Sequence, residues 1–560
     1  MLRNLTIIAS CWLAAALASQ CVLEGQANPT QEPVEGEYVL KSESPLVVLD
    51  VVVTDKMGQP VHGLKAENFT VLEKGQKMTL QSFDEYRADQ APAPPAAKAA
   101  RQALGPNVFT NVADTRTDGP LNVLLMDALN TPVADQMYLR QQMLEYVKKV
   151  PEGTSIAIFG LTNRLYILQG FTTDPAVLKA DVQRFGAKNV SLPLALRGPY
   201  TRAAIQDLAR YLSGLPGRKN LIWFAGSFNL GILRDLNREN RPGAMPDLDD
   251  VKWTANLLAR ARVAVYPIDA RGLFTNPDFS AAVSGPPGGS PMNPGAWLNS
   301  EGHFLEQRAH EHIGMKMLGE ETGGKAFFDT NGLKGALQEA IKDGSNYYTL
   351  AYATPDRRWD GRYRSLSVKS DQPEVNLFYR QGYFAYDPND SRGHRGKAPP
   401  RSVMDSAMQF GGPSPTQILF MAKIVPAAGT EDTLPASDQP NPKEKLKPPY
   451  RHYTVWYGAD LRNVAFTATT DAIRHESLEF EIHLYSPDGE LINAIREMVK
   501  LKLPAVRDRS RGWSGLEFHQ SIDAPAKGAF FLRIGVHDLS SDRVGAVEVP
   551  LAAIPPPGAP

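Results

Sequence analysis

A chain of 560 residues is long enough for three or four domains of about 100–200 residues each. Hydrophobic residues make up 42%, enough to give each a core. Lys+Arg 60 against Asp+Glu 61 leaves a net charge of -1, which excludes the basic surplus that nucleic-acid binding requires.

The first stretch, "MLRNLTIIASCWLAAALASQCVLEGQA", has Arg3, an apolar run from Leu5 to Ala18 and then small residues. That is the pattern of a secretory signal, expected over residues 1–27 with cleavage after Ala18 or Ala27. Both cysteines, Cys11 and Cys21, fall inside it. Gln20 stands where lipoprotein processing favours a small residue, so a lipid anchor is not expected. A mature chain cut after Ala27 has no disulfide and must hold itself together by packing. No later run of about 18 apolar residues suggests a membrane span. The expected location is secreted or periplasmic.

Residues 40–88 read as a β segment. Met57-Gly58 and Lys74-Gly75 are turn signals between runs rich in Val, Thr, Leu and Phe. The Pro- and Ala-rich stretch that follows makes 89–118 a linker. From 119 to 343, apolar strands alternate with helical windows. The strand candidates are Leu121–Met126, Ser155–Leu161, Leu165–Leu168, Asn220–Ala225, Val263–Ile268 and Lys325–Phe328. In "TRAAIQDLARYLSGL", Ala204, Ile205, Leu208, Leu212 and Leu215 form one helical stripe ended by Gly214 and Pro216-Gly217. The pattern predicts an α/β fold: a doubly wound, mostly parallel sheet covered on both faces. Sites in such sheets lie beyond the carboxyl ends of the strands.

Residues 344–386 return to β structure, with Asp360-Gly361 as a hairpin turn, and are expected to pack with the N-terminal segment. A linker at 387–406 precedes a C-terminal β-sandwich at 407–552 with a Pro-rich insert at 425–449. There Leu478, Phe480, Ile482 and Leu484 share one face, as do Phe530, Leu532, Ile534 and Val536. Pro487-Asp488-Gly489 makes a turn.

Several stretches together resemble a von Willebrand factor type A domain, in the version found in exported proteins of Acidobacteria-type bacteria. They are "NVLLMDALNT", "FTTDPAVL", "GRKNLIWFAGSF", "RARVAVYPIDARGL", "ETGGKAFFDTNGLKGALQEAIKDGSNYYTLAY" and "NLFYRQGYFAY". The segment "VVVTDKMGQPVHGLKAENFTVLEKG" is similar to the β segment that precedes such domains. The resemblance covers Leu46 to Tyr386. It implies a doubly wound sheet, a role in binding, and a metal-ion-dependent adhesion site. That site takes an Asp-x-Ser-x-Ser loop, a Thr from a second loop and an Asp from a third. Mg²⁺ needs only a few protein oxygens, and an open position lets a partner carboxylate complete its shell.

On this sequence, Asp127 matches the first Asp, Thr131 the second hydroxyl position and Thr172 the second-loop Thr, with Thr173 beside it. Leu129 falls at the first hydroxyl position and Ala225 at the third-loop Asp. Ser227 and Asn229 are the nearest polar groups there. A site lacking two of its oxygens is degenerate, and the expectation is no cofactor, or weakly bound Mg²⁺ held by Asp127, Thr131 and Thr172. A second reading treats "DALNTP" as a strand-to-helix turn. Asn130 or Thr131 would cap a helix that has Pro132 in its first turn, and Asp127 would accept backbone N–H groups.

Other chemistry is weaker. His303, His310 and His312 lack the spacing of a zinc-protease helix and read as exposed helix residues. No nucleophile elbow or phosphate loop occurs. Trp456 and its neighbouring tyrosines read as half-buried strand residues rather than a carbohydrate or peptide platform. The reading is an exported, non-enzymatic binding, adhesion or scaffold protein. Its partner is a protein at or outside the cell envelope, gripped at the sheet top by Asp127, Asn130, Thr131, Thr172, Thr173 and Ser227. A periplasmic hydrolase and a purely structural envelope protein are the alternatives.

Overall fold

The computed structural model describes residues 46–88, 105–112, 120–227, 248–272, 294–385, 403–438, 448–504 and 515–555. Within those spans it leaves out 106, 152, 187–188, 191, 216, 357, 359, 436–437, 461–463, 465–466 and 469–472. The expected signal segment and Asn229 lie outside the described residues.

In chain order, β1 (Leu46–Thr54), β2 (Phe69–Glu73), β3 (Gln76–Met78) and β4 (Leu80–Tyr86) are followed by β5 (Val108–Thr110). The alternating region then begins: β6 (Leu121–Asp127), α1 (Val133–Val147), β7 (Ile156–Leu161), β8 (Leu165–Thr172), α2 (Pro175–Arg184) and α3 (Leu194–Ser213). It continues with β9 (Lys219–Ala225), α4 (Leu248–Arg260), β10 (Val263–Asp269), α5 (Pro294–Thr322) and α6 (Leu333–Gly344). Next come β11 (Tyr347–Ala353), β12 (Tyr363–Ser370), β13 (Asn376–Phe378) and β14 (Gly382–Phe384). The last part holds α7 (Val403–Ala407), β15 (Phe420–Pro426), β16 (Tyr450–Asp460), β17 (Thr467–Ala468), β18 (Ile473–Tyr485) and β19 (Leu491–Pro504). It closes with β20 (Gly515–Pro525), β21 (Phe531–Asp538) and β22 (Arg543–Pro550).

The central sheet has the order β10-β9-β6-β7-β8. β6, β7, β9 and β10 run parallel, and β8 runs antiparallel to β7. Every residue of β6, β7, β9 and β10 is buried, because helices cover both faces. Alternation divides the strand side chains. Val123 and Leu125 share a core with α3, α4 and α5, while Leu124 and Met126 share another with α1, α2 and α6. The fold is thus mixed α/β, with several sheets and one of mostly parallel strands. Lys325–Phe328 is a single parallel bridge, Phe327 to Ile268, rather than a sixth strand.

Helix α5 is longer than the sheet is tall. Thr322 near its end accepts the Val265 N–H, while Glu311 and His312 lie against Arg271 and Asp269 at the carboxyl end of β10. The helix therefore runs antiparallel to β10, and its first 16 or so residues continue about 25 Å past the sheet at ~1.5 Å per residue.

Two smaller sheets interleave segments from either side of the α/β region. β1 lies between β11 and β13, β2 pairs with β12, and the strands share one apolar core. β11 and β12 belong to different sheets, so Asp360-Gly361 does not join a hairpin as the sequence suggested. Gly361 turns a loop that crosses between layers, its N–H bonded to Ala385 O at 3.0 Å. The α/β unit docks on these strands through a half-buried ion pair. Arg262 donates to Asp50 from Nε at 3.0 Å and to Thr349 Oγ1 at 3.2 Å. Gly344 packs so closely on the Asn220 amide that an added Cβ would lie 2.2 Å from it. Asn220 is fixed in turn by donating to Asn122 Oδ1 at 3.0 Å.

At the C-terminal end, the β20-β16-β15-β5 sheet and the sheet of β17, β18, β21, β22 and β19 contribute to one core. Leu478, Phe480, Ile482 and Leu484 from β18 and Leu532, Ile534 and Val536 from β21 are fully buried in it. Residues Val108–Thr110, placed in a linker by composition, form a strand here. Asn111 holds it in place, donating to Pro415 O and Ile418 O and accepting from Phe420 N–H. Residues 425 and 426, read as the start of an insert, complete β15.

His537 lies on the opposite face of the sheet containing β18, beside Glu479 at 3.0 Å and Asp542 at 2.8 Å. Burial would lower its pKa, but the two carboxylates raise it from 6.5 to about 9. Its stabilising contribution is therefore complete below about 6.5 and disappears as pH rises through about 9. His537→Gln is expected to lower the thermal unfolding midpoint clearly at pH 6 and much less at pH 10. Gly344→Ala tests the other contact. In an open helix this change is worth about +0.5–1 kcal/mol. Against Asn220 it is expected to destabilise by about 1–3 kcal/mol, read from urea unfolding followed by circular dichroism.

Candidate functional site

Strand order reverses between β6 and β9: the chain proceeds from β6 outward to β7 and β8, then returns to the other side for β9 and β10. Loops leaving β6 and β9 diverge to opposite faces at such a point and leave a crevice above it. Asp127 ends β6 at that crevice, and Ala225 ends β9 beside it.

Asp127 is only 1% exposed, and N–H donors surround its carboxylate. The Asn130 backbone N–H donates to Oδ1 at 2.9 Å. The Asn130 side-chain amide donates to Oδ2 at 2.7 Å, and the buried Trp223 indole to the same oxygen at 3.1 Å. The Asn130 amide nitrogen also donates to Thr201 Oγ1 at 2.9 Å. Burial raises the Asp127 pKa from 3.8 to about 6, and the bonds from Asn130 and Trp223 limit the rise. The β6 and β9 loops are stitched by Gly226 N–H donating to Thr131 Oγ1 at 2.9 Å. A Cβ on Gly226 would come within 2.9 Å of Pro132 Cδ, so the approach requires glycine.

Thr131 and Asn130 do not cap α1: Pro132 is the N-cap residue, with no side-chain cap. Their polar groups face Gly226, Asp127 and Thr201 instead. Asp127, Asn130 and Thr131 are at most 5% exposed, so in this arrangement they shape the rim from beneath and are not themselves available to a partner. Thr172 is at the wrong end of the sheet. It pairs with Ile156, which is level with Asn122, whereas Asp127 is level with Leu161. Five residues along a strand separate those levels by about 17 Å. The reason is the antiparallel course of β8, which returns the chain to the bottom before "TTDP" starts α2. There Thr172 Oγ1 accepts the Asp174 N–H, and Asp174 caps the helix through Ala176 N–H at 2.8 Å. Thr173 belongs to the same turn. Ser227 follows Gly226 at the crevice and is half-buried.

The hydroxyl that reaches Asp127's neighbourhood from a second element is Thr201 on α3, 1% exposed. Sequence reasoning missed it. Its signal was helical spacing: Thr201 stands one turn before Ile205 and two before Leu208, a polar residue that extends the apolar stripe.

A second polar cluster closes the β10 side of the crevice. Arg271 lies between Asp269 (2.8 Å) and Glu311 (2.7 Å). Burial would raise the Asp269 pKa, but His312 and Arg271 outweigh it and hold it below the usual carboxylate range. His312 is stacked on Phe328 with ring centroids 4.2 Å apart and is 3.7 Å from Asp269. It is largely buried, whereas His303 is exposed.

This donor set does not suit Mg²⁺, which takes oxygen ligands in an octahedral array. Leu129 and Ala225 offer none. Both Asp127 oxygens and the hydroxyl oxygens of Thr131 and Thr201 already accept N–H bonds. The Asn130 amide nitrogen occupies the position between carboxylate and hydroxyl that a bridging cation would need. Among the described residues no group of three or more His, Cys, Asp or Glu side chains is placed to hold a metal ion. No helix among them is long and apolar enough to cross a membrane.

No sequence-family profile and no curated protein matches this chain. Among solved structures it is similar to an aerotolerance-related membrane protein from Bacteroides fragilis, at 14% identity over 40% of this chain and 98% of that one, with a TM-score of 0.25. It is also similar to a von Willebrand factor type A protein from Catenulispora acidiphila, at 10% identity over 55% and 73%, with a TM-score of 0.24. A third likeness is to proximal thread matrix protein 1 from the mussel byssus, whose metal-ion-dependent adhesion motif is described as zinc-occupied. There the identity is 9% over 42% and 48%, with a TM-score of 0.23. At these scores the fold rests on this chain's own strand order.

Because the folded state raises the Asp127 pKa, the folded protein binds that proton more tightly than the unfolded chain does. The carboxylate's contribution to stability therefore improves as pH falls through about 6 toward 3.8. Asp127→Ala is expected to cost more at pH 5 than at pH 7. A penalty that shrinks on acidification would overturn this assignment of the buried carboxylate.

Proposed function

We propose that the chain is an exported, non-enzymatic protein-binding or scaffold protein. Its recognition module is a von Willebrand type A domain with a degenerate adhesion site, engaged without a divalent ion. The two C-terminal sheets are read as a β-sandwich that carries or extends this module. The observation behind the reading is the Asn130 amide: one neutral side chain joins Asp127 to Thr201 and does mechanically what a metal would do electrostatically. The rim is thereby pre-formed, and binding need not wait for an ion.

The surface offered above this constellation is partly apolar. On α1, Val133 and Met137 are 41% and 59% exposed and lie one helical turn apart. Ser227 follows Gly226, which lies against Pro132 at the head of α1, and the first half of α5 continues past the carboxyl end of β10. Exposed apolar side chains next to a rigid concave rim suit a protein partner. The non-enzymatic reading draws support from the Asp269 cluster: Arg271 occupies both carboxylates, and His312 is covered by Phe328.

Affinity capture from envelope extract tests this. Capture is expected to persist in EDTA and to fall sharply in the Met137→Asp and Val133→Asp variants. Loss of capture on chelation would establish metal-dependent adhesion instead, and indifference to both substitutions would move the binding face elsewhere. Asn130→Asp puts an acceptor where the bridging donor stood. That variant is expected to have a lower unfolding midpoint in EDTA and to recover when Mg²⁺ is added, while the wild type shifts in neither condition.

A further inference from the structure

A cleft runs along the outer side of α3, from Tyr200, the residue before Thr201, to Arg210. Its far walls are the β7–β8 turn, with Asn163 and Arg164, and the segment around α7, with Val403, Ser406 and Gln409. The cavity itself is small, about 80 Å³, and it opens into a wider solvent-exposed groove. Leu161 lies in its floor, and the Leu161 carbonyl also accepts the N–H of Leu129 in the Asp127 loop. Leu161 thus links the cleft wall to the loop that forms the rim, and the cleft is lined jointly by the α/β unit and the C-terminal unit.

Firm contacts hold the two units together here. Thr416 donates to Tyr211 O at 2.6 Å and accepts Gly214 N–H at 3.1 Å. Arg164 Nη1 donates to Phe410 O at 3.0 Å. A cleft at such a junction keeps its shape without a ligand, which lowers the ordering cost of binding.

The charges in it are unequal. Arg210 is neutralised by Asp207 at 2.7 Å. Arg164 is exposed, and its bond to Phe410 O leaves its charge uncompensated by that neutral acceptor. Beside it lie Leu161, Leu165, Ala203, Ala204 and Val403. A guanidinium next to an apolar floor suits a carboxylate flanked by an apolar side chain, since guanidinium and carboxylate bond in a fork.

We propose that this cleft receives an acidic, partly apolar peptide segment of the protein partner, with Arg164 binding its carboxylate. The proposal rests on the protein-binding reading above and extends it from the sheet rim to the interunit junction. A partner lying across both would engage the two units at once.

The test uses the full chain without its first 27 residues and measures fluorescence anisotropy with a labelled peptide of Asp, Leu and Ala. A peptide with Lys for Asp is the comparison, and inorganic phosphate is the competitor. The acidic peptide is expected to bind, more weakly at high salt, and the Lys peptide is not. Arg164→Glu should weaken binding at least tenfold. Ser406→Trp should do the same by filling the cleft without changing its charge. Met498→Asp, an exposed substitution on β19 outside the cleft lining, should leave it unchanged. Equal binding of the two peptides, or retention of binding by Ser406→Trp, overturns the proposal, as does displacement by phosphate at the same concentration as by free peptide, which would define a small-anion site. If Arg164→Glu does not fold, Ser406→Trp carries the test. If the peptide fails to bind while Val133→Asp still abolishes envelope capture, the cleft is excluded and the sheet-rim reading stands. The converse result excludes the rim.

Discussion

The top of the central sheet depends on how one buried carboxylate is satisfied. An ionised Asp127 sealed between two strands would be strongly unfavourable without compensation. Three N–H donors supply it: two from Asn130 and one from Trp223. Those bonds dictate the course of the loop after β6. The same Asn130 amide reaches Thr201 and so ties α3 to the loop, while Thr131 ties the loop to Gly226. Four pieces of chain are positioned by one neutralised charge.

That arrangement separates geometry from ion chemistry. A divalent cation organises a crevice by drawing oxygen ligands from several loops to one point. An amide can do part of this, because its two N–H groups address two oxygens at a fixed angle. What it cannot do is leave an open coordination position for a partner's carboxylate. The recognition proposed at such a rim would have to come from surface shape and apolar contact, as exposed Val133 and Met137 offer, or from charge placed nearby. Arg271 has its charge consumed by Asp269 and Glu311. Arg164, at the turn between β7 and β8, makes no ion pair among the described residues.

The chain is also more interwoven than a string of modules. β1 and β2 pair with strands from beyond the α/β region. β5 joins a sheet whose other members begin some 310 residues later, and Thr110 donates to Phe420 O across that interval at 2.8 Å. The α/β unit is thus inserted twice over, between halves of a small β unit and between strands of the C-terminal one. Such insertion anchors both of its ends and holds the rim in a constant relation to the neighbouring cleft.

Much of this was legible locally. The predominantly apolar runs at Leu121, Ile156, Leu221 and Val263 could be satisfied only by burial on both faces, and the alternation of Leu478 to Leu484 only by burial on one. Periodicity therefore determined the strands, the helices and the mostly parallel central sheet. Residue type at Leu129 and Ala225 already argued against a complete set of metal ligands. What periodicity could not carry was the reversal of the edge strand β8 and distant pairing. The reversal of β8 sent Thr172 about 17 Å from Asp127, and α3 brought Thr201 there from 71 residues after Asn130. A three-residue strand such as β5 has no signal of its own, since its hydrogen bonds exist only once β15 is in place. Short-range pattern reports which surfaces must be buried, and tertiary structure alone decides which of them meet.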